Sequence, residues 1–129
     1  MVILMNINER TLNDVTILDI DGNLAREENA QFRTRVAAAI NAGARKLVLN
    51  LASVSHMDSS GLGELISCYT SMQKLGGSIK LLSPNHRLQN LLVITKLNTL
   101  FNTFDSESAA IASFARLSGV ESRLASAAQ

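Results

Sequence analysis

The residues best suited to chemistry lie together in the segment Met57-Asp58-Ser59-Ser60-Gly61-Leu62-Gly63, where a carboxylate precedes two hydroxyls and two glycines. Two serine hydroxyls at a helix N-terminus, beside free backbone N–H groups and the positive end of the helix dipole, suit a bound or covalently attached anion. Phosphorylation of one hydroxyl is physically easy to accommodate there. Asp and Ser are also ordinary N-cap residues and Gly an ordinary loop residue, so simple capping explains the same letters.

Several sharper motifs are excluded by the letters themselves. A nucleophile elbow needs Gly two positions before its serine, but Met57 and Asp58 stand there. Gly61-Leu62-Gly63 begins like a dinucleotide fingerprint, and Ile66 then occupies the third glycine's place. No Gly-Lys-Ser or Gly-Lys-Thr offers a phosphate-binding loop, so no cofactor or nucleotide hydrolysis is expected. His56, His86 and Cys68 show no metal-ligand spacing. Cys68 reads as a small packing residue and His56 as a partly exposed loop residue. Ser59 or Ser60 as an enzyme's nucleophile would need a basic partner, which the sequence does not nominate.

Charge narrows the partners. The 12 basic residues nearly balance 11 acidic ones, without a Lys/Arg run that could track phosphates, and the 4% of aromatics supplies few stacking platforms. Direct nucleic-acid binding is not expected. A single cysteine cannot make an internal disulfide, which fits a reducing cytoplasm. The run Val2-Ile3-Leu4-Met5 is too short for a signal peptide and reads as strand, and no stretch is apolar enough for an integral membrane segment.

The elements that must position the serines follow from periodicity. Val2–Ile7 and Val15–Asp21 read as strands joined by the polar residues 8–14 in a hairpin. Phe32, Val36, Ala39 and Ile40 recur at helical spacing after Ala25, and Ala42-Gly43 ends that helix. Lys46–Leu51 is nearly all apolar, as a strand buried on both faces should be. After the loop 53–63, Leu62, Leu65, Ile66, Tyr69 and Met72 are expected on one helical face, closed by Gly76-Gly77.

Ser78–Leu82 is the next strand. Ser83-Pro84 reads as a cap and first helical position, with Leu88, Leu91 and Leu92 turned inward. Leu100–Phe104 forms a last strand, and Asp105-Ser106 opens a helix that buries Ile111, Phe114 and Leu117. The alternation predicts one α/β domain over residues 1–117: a mostly parallel mixed β-sheet of four to five strands, an N-terminal antiparallel hairpin and about four helices. Residues 118–129, rich in Ala and Ser, read as a helical extension or disordered tail. In such sheets the functional crevice lies beyond the strands' carboxyl ends, where Asp58 to Gly61 falls.

The stretches Leu47-Val48-Leu49-Asn50-Leu51 and Val54-Ser55-His56-Met57-Asp58-Ser59-Ser60-Gly61-Leu62-Gly63, followed by Leu75-Gly76-Gly77, resemble the STAS domain of anti-sigma factor antagonists. Gly22-Asn23-Leu24 adds to the resemblance, which spans roughly residues 4 to 117. It implies a cytoplasmic bacterial partner-switching regulator and not an enzyme. The unmodified protein would bind an anti-sigma factor that is also a serine kinase, releasing a sigma factor, and a phosphatase would reset it.

The resemblance implies Ser59, the first hydroxyl after the Asp, as the phosphorylated residue, with Ser60 as alternative and otherwise a neighbouring contact or helix cap. The partner surface would comprise Asp58, Ser59, Ser60, Gly61 and the exposed face near Glu64, Ser67 and Ser71. The chain departs from the family at Ala25, where an Asp is common. The same fold also serves as a non-phosphorylated STAS subunit docked on a membrane transport complex, which is the alternative reading.

Overall fold

The computed structural model describes residues 5–116. Two strands, β1 (Met5–Leu12) and β2 (Val15–Gly22), pair antiparallel with Leu12 opposite Val15, so the hairpin turn is only Asn13-Asp14. Asn13 takes a positive φ of 58° there, a conformation Asn tolerates better than most side chains. Residues 8–12, expected as a connection, are instead strand. The reason is position: β1 is an edge, so its outer half needs no apolar side chains to be held by β2's backbone.

From β2 the chain enters helix α1 (Glu28–Asn41), then β3 (Lys46–Ser53), α2 (Ser59–Lys74), β4 (Ser78–Leu82), α3 (His86–Ile94), a single 3-10 turn (Leu97–Thr99), β5 (Asn102–Phe104) and α4 (Glu107–Arg116). The sheet order is β1-β2-β3-β4-β5, with every pair after the hairpin parallel. The expected mixed sheet and element order are therefore present. The tail 118–129 and Leu117 lie outside the described residues.

Strand alternation divides the core in two. Leu18, Ile20, Leu47, Leu49, Leu51 and Leu81 meet Phe32 and Val36 of α1, Leu65 and Met72 of α2, and Leu88 and Leu92 of α3. Val15, Ile17, Val48 and Leu82 face the other way, against Ala110 and Phe114 of α4. One helix cannot cover a five-stranded face. Where α4 runs out, the sheet carries polar groups: Arg10 of β1 bonds both Asp19 of β2 (2.6 and 3.0 Å) and Glu107 of α4 (2.6 and 3.2 Å). Asn50 of β3 completes the link by donating to Asp19 at 2.8 Å.

Three local expectations are corrected. Helix α3 is capped by Asn85, whose side chain accepts the Leu88 N–H at 2.9 Å, and not by Ser83. Ser83 sits at φ 55° and donates its N–H to the Phe104 carbonyl, so its backbone is committed to the end of β5. The buried stripe of α2 is Leu62, Leu65, Cys68 and Met72, with Ile66 turned out and Tyr69 half-buried. The strip touching the sheet and α1 is narrower than the apolar letters suggest. Finally, α1 begins at Glu28, because Arg26 takes a positive φ of 54° that ends any helix continuing back to Ala25.

Candidate functional site

The site is built where the carboxyl ends of β2 and β3 converge. Leu24, just past β2, makes an isolated parallel bridge with Met57, donating its N–H to the His56 carbonyl at 3.0 Å. This clamp sets the start of α2. A Cβ added at Gly61 would lie 2.1 Å from the Leu24 carbonyl oxygen and 2.8 Å from the Met57 side chain, so this first turn can pack so closely only as glycine.

Asp58 is the N-cap, with extended backbone, and its Oδ1 accepts the Gly61 N–H at 2.9 Å. The same oxygen accepts the Ser60 hydroxyl at 2.6 Å. These bonds, Ser60 first and the Gly61 N–H second, hold the Asp58 carboxyl below the usual carboxylate range. Asp58 thus caps while staying charged at the positive end of the helix.

The two serines are not equivalent. Ser60 is wired in: it donates to Asp58 and accepts from Asn29 Nδ2 of α1 at 2.5 Å. Ser59, at the first helical position, is exposed, and among the described residues its hydroxyl has no hydrogen-bond partner. Of the sequence-nominated residues, Asp58, Ser60 and Gly61 share one hydrogen-bonded cap, and Ser59 stands beside it facing solvent.

Glu64, Ser67 and Ser71 continue along α2 at helical spacing and line a groove with Arg33, Val36, Ala37, Ile40 and Cys68. Glu64 is no free carboxylate. Arg33 of α1 grips it through Nε (3.1 Å to each oxygen) and a further bond from Nη2, leaving the guanidinium largely exposed and the carboxylate covered. The charge presented to solvent at this point is therefore positive, from a residue the sequence reading did not nominate. Cys68 forms the groove's floor, and burial, then the Glu64 charge, pushes its thiol up to about 12.

Asn29 was also missed. It carries the only polar side chain among the four buried residues of α1, which are Asn29, Phe32, Val36 and Ala39. A polar letter in an apolar stripe is the signal that could have found it, since buried polar groups need partners. Ala25, flagged for lacking a carboxylate, is buried beside the Leu24 bridge. Among the described residues no helix is long and apolar enough to cross a membrane.

Comparison with known proteins agrees with this architecture. The STAS domain model matches residues 6–110. The anti-sigma-B factor antagonist of Bacillus subtilis is 33% identical over 101 residues, covering 76% of this chain and 91% of its own. The crystal structure of a Thermotoga maritima protein, described as an anti-sigma factor antagonist, superposes with a TM-score of 0.74 at 29% identity, covering 83% of this chain and 92% of that one. SpoIIAA of Bacillus, solved in its phosphorylated form, shares the fold with a TM-score of 0.67 at 22% identity, over 84% of this chain and 99% of that one. The family model spans the whole region from β1 to α4 that builds the cap and its clamp, and the chain belongs to the STAS-domain family of anti-sigma factor antagonists.

Proposed function

We propose that this chain is a phosphorylation-controlled binding module, not an enzyme. Unmodified, it docks in the cytoplasm on an anti-sigma factor that is also a serine kinase, and so releases a sigma factor. Phosphorylation of Ser59 ends the complex, and a phosphatase resets it. The carrying observation is the pair of unlike serines: both are exposed at the start of α2, but Ser59 is unbonded among the described residues while Ser60 is tied into the cap.

The physics supports a switch that acts locally. A phosphoserine adds about −1.5 to −2 charges, and next to Asp58 in a desolvated contact it repels an acidic or apolar docking surface. The helix N-terminus offsets part of that charge, so the fold need not rearrange. A related antagonist has been solved phosphorylated, which shows that the fold accommodates the group in that protein. The docking surface runs from Asp58, Ser59, Ser60 and Gly61 along Glu64, Ser67 and Ser71, with Arg33 beside them. A nucleophilic role for Ser60 lacks support, because the carboxylate bonded to it is held as a weak base.

The test is pull-down and mass spectrometry with candidate serine kinases of the anti-sigma type and ATP. Wild type and Ser59→Ala are expected to bind, and Ser59→Asp to bind at least about tenfold more weakly, as a desolvated like-charge contact should. Ser59 unmodified by every candidate, with Ser59→Asp binding like wild type, would overturn the switch. Stable recovery of transport subunits instead would move the reading to a STAS subunit of a transport complex.

A further inference from the structure

We propose that Asn29 decides which of the two adjacent hydroxyls accepts a phosphoryl group, holding Ser60 as a structural link and leaving Ser59 as the acceptor. The inference rests on the phosphorylation reading above. It starts from a cost in the fold. Asn29 is only 4% exposed, and its Oδ1 is buried without a hydrogen-bond partner. An apolar residue at this position would complete the α1 stripe with Phe32 and Val36 and leave no acceptor unmet. What the amide does make is a single short bond, from Nδ2 to Ser60 Oγ at 2.5 Å.

That bond changes what Ser60 can do. Phosphoryl transfer requires a serine oxygen lone pair to reach the γ-phosphorus of a nucleoside triphosphate. The new O–P bond forms as the bond to the β,γ-bridging oxygen breaks, the nucleoside diphosphate leaves, and the hydroxyl proton passes to a base on the kinase. In Ser60 one lone pair faces the Asn29 N–H, and the proton is directed at Asp58 Oδ1. A phosphate on Ser60 would also lose the proton that Oγ now donates to Asp58 Oδ1 and set its own charge directly against that carboxylate. Ser59 carries none of these restraints and can rotate into a kinase site. Asn29 is thus a positioning residue acting through Ser60, from a helix 31 positions away in sequence.

The experiment is phosphosite mapping by tandem mass spectrometry on the full chain, purified from the bacterium that carries it across growth and stress conditions. Wild type, Asn29→Ala, Ser59→Ala and the double variant are compared. Phosphate is expected on Ser59 in wild type with Ser60 at trace occupancy, on Ser60 at that same trace in Ser59→Ala, and on Ser60 well above it in the double variant. In Asn29→Ala the Ser60:Ser59 ratio should rise about tenfold, the change that one ordinary hydrogen bond supports. If Asn29→Ala does not accumulate as folded protein, Asn29→Ser, too short to span to Ser60, supplies the same comparison. Ser60 as heavily phosphorylated as Ser59 in wild type, or a double variant with Ser60 still at trace occupancy, or an unchanged ratio in Asn29→Ala, overturns the role of Asn29 and leaves the Ser59 switch standing. Phosphate on neither serine of wild type overturns the switch itself and this inference with it.

Discussion

Gly61 meets the carbonyl of Leu24 so closely that no side chain fits between them: a Cβ would stand 2.1 Å from the oxygen. The contact joins the end of β2 to the first turn of α2 and fixes where Ser59 emerges. Because the obstacle is backbone, it cannot swing aside. Gly61→Ala is expected to lose about 3 kcal/mol, the upper end for overpacking, read as a lowered denaturation midpoint. Gly63→Ala is the control. Its Cβ would meet nothing within 4 Å, so replacing a helical glycine there should raise stability by roughly 0.5–1 kcal/mol.

Arg10 ties the edge hairpin to α4 through Asp19 and Glu107, and its hydrogen bonds hold both carboxyls below their ordinary values of 3.8 and 4.5. Groups depressed by folding contribute stability above their unfolded values and lose it as pH falls through the folded ones. Stability should therefore be level near neutrality and fall once pH drops below about 4.5. Arg10→Ala should cost on the order of 1–2 kcal/mol at neutral pH, discounted because the three side chains are between a quarter and about a third exposed, and should flatten the acid limb of the unfolding curve.

Cys68, with its thiol pushed up to about 12 in the floor of the α1–α2 groove, should resist alkylation. At pH 8 iodoacetamide should modify the folded chain on the order of a thousandfold more slowly than a free cysteine, for want of thiolate. Guanidinium should restore ordinary reactivity. Rapid labelling of the folded chain would mean that the groove opens.

How far the sequence could be read depended on the range of the cause. The order of elements, the central strand Lys46–Ser53 and the Asp58 cap were legible because periodicity and capping are local. Residues 8–12 were misread because their pairing is set by the partner strand, not by their own polar letters. Ser83 and Asn85 are both good capping residues, and only the bond from the Ser83 N–H to Phe104, far along the chain, selects between them. Asn29 and Arg33 stayed hidden for the same reason: each meets its partner across 31 positions.

The choice of cap for α3 is directly testable. Asn85→Ala removes the bond to the Leu88 N–H and a second, donated to the Val54 carbonyl at 3.2 Å, and should cost about 1–2 kcal/mol. Ser83→Gly should instead stabilise by roughly 0.5–1 kcal/mol, since φ 55° strains any residue with a Cβ. Equal losses at both positions in thermal melts would return the cap to Ser83.

The two serines of the site can be separated without any partner protein. The Ser59 hydroxyl bonds nothing among the described residues, so Ser59→Ala should change stability by less than about 0.5 kcal/mol. Ser60→Ala removes a donor to Asp58 and the acceptor of the Asn29 amide, leaving that buried amide unpaired at both ends. A loss of about 1–3 kcal/mol is expected, the range for a buried polar group deprived of its partner. Pairing Ser60→Ala with Asn29→Ala should recover part of it, because the double variant buries no orphaned amide, and a double-mutant cycle reads the coupling. Additive losses would mean that the 2.5 Å contact carries no coupling energy, and Ser60 would then be held by Asp58 alone.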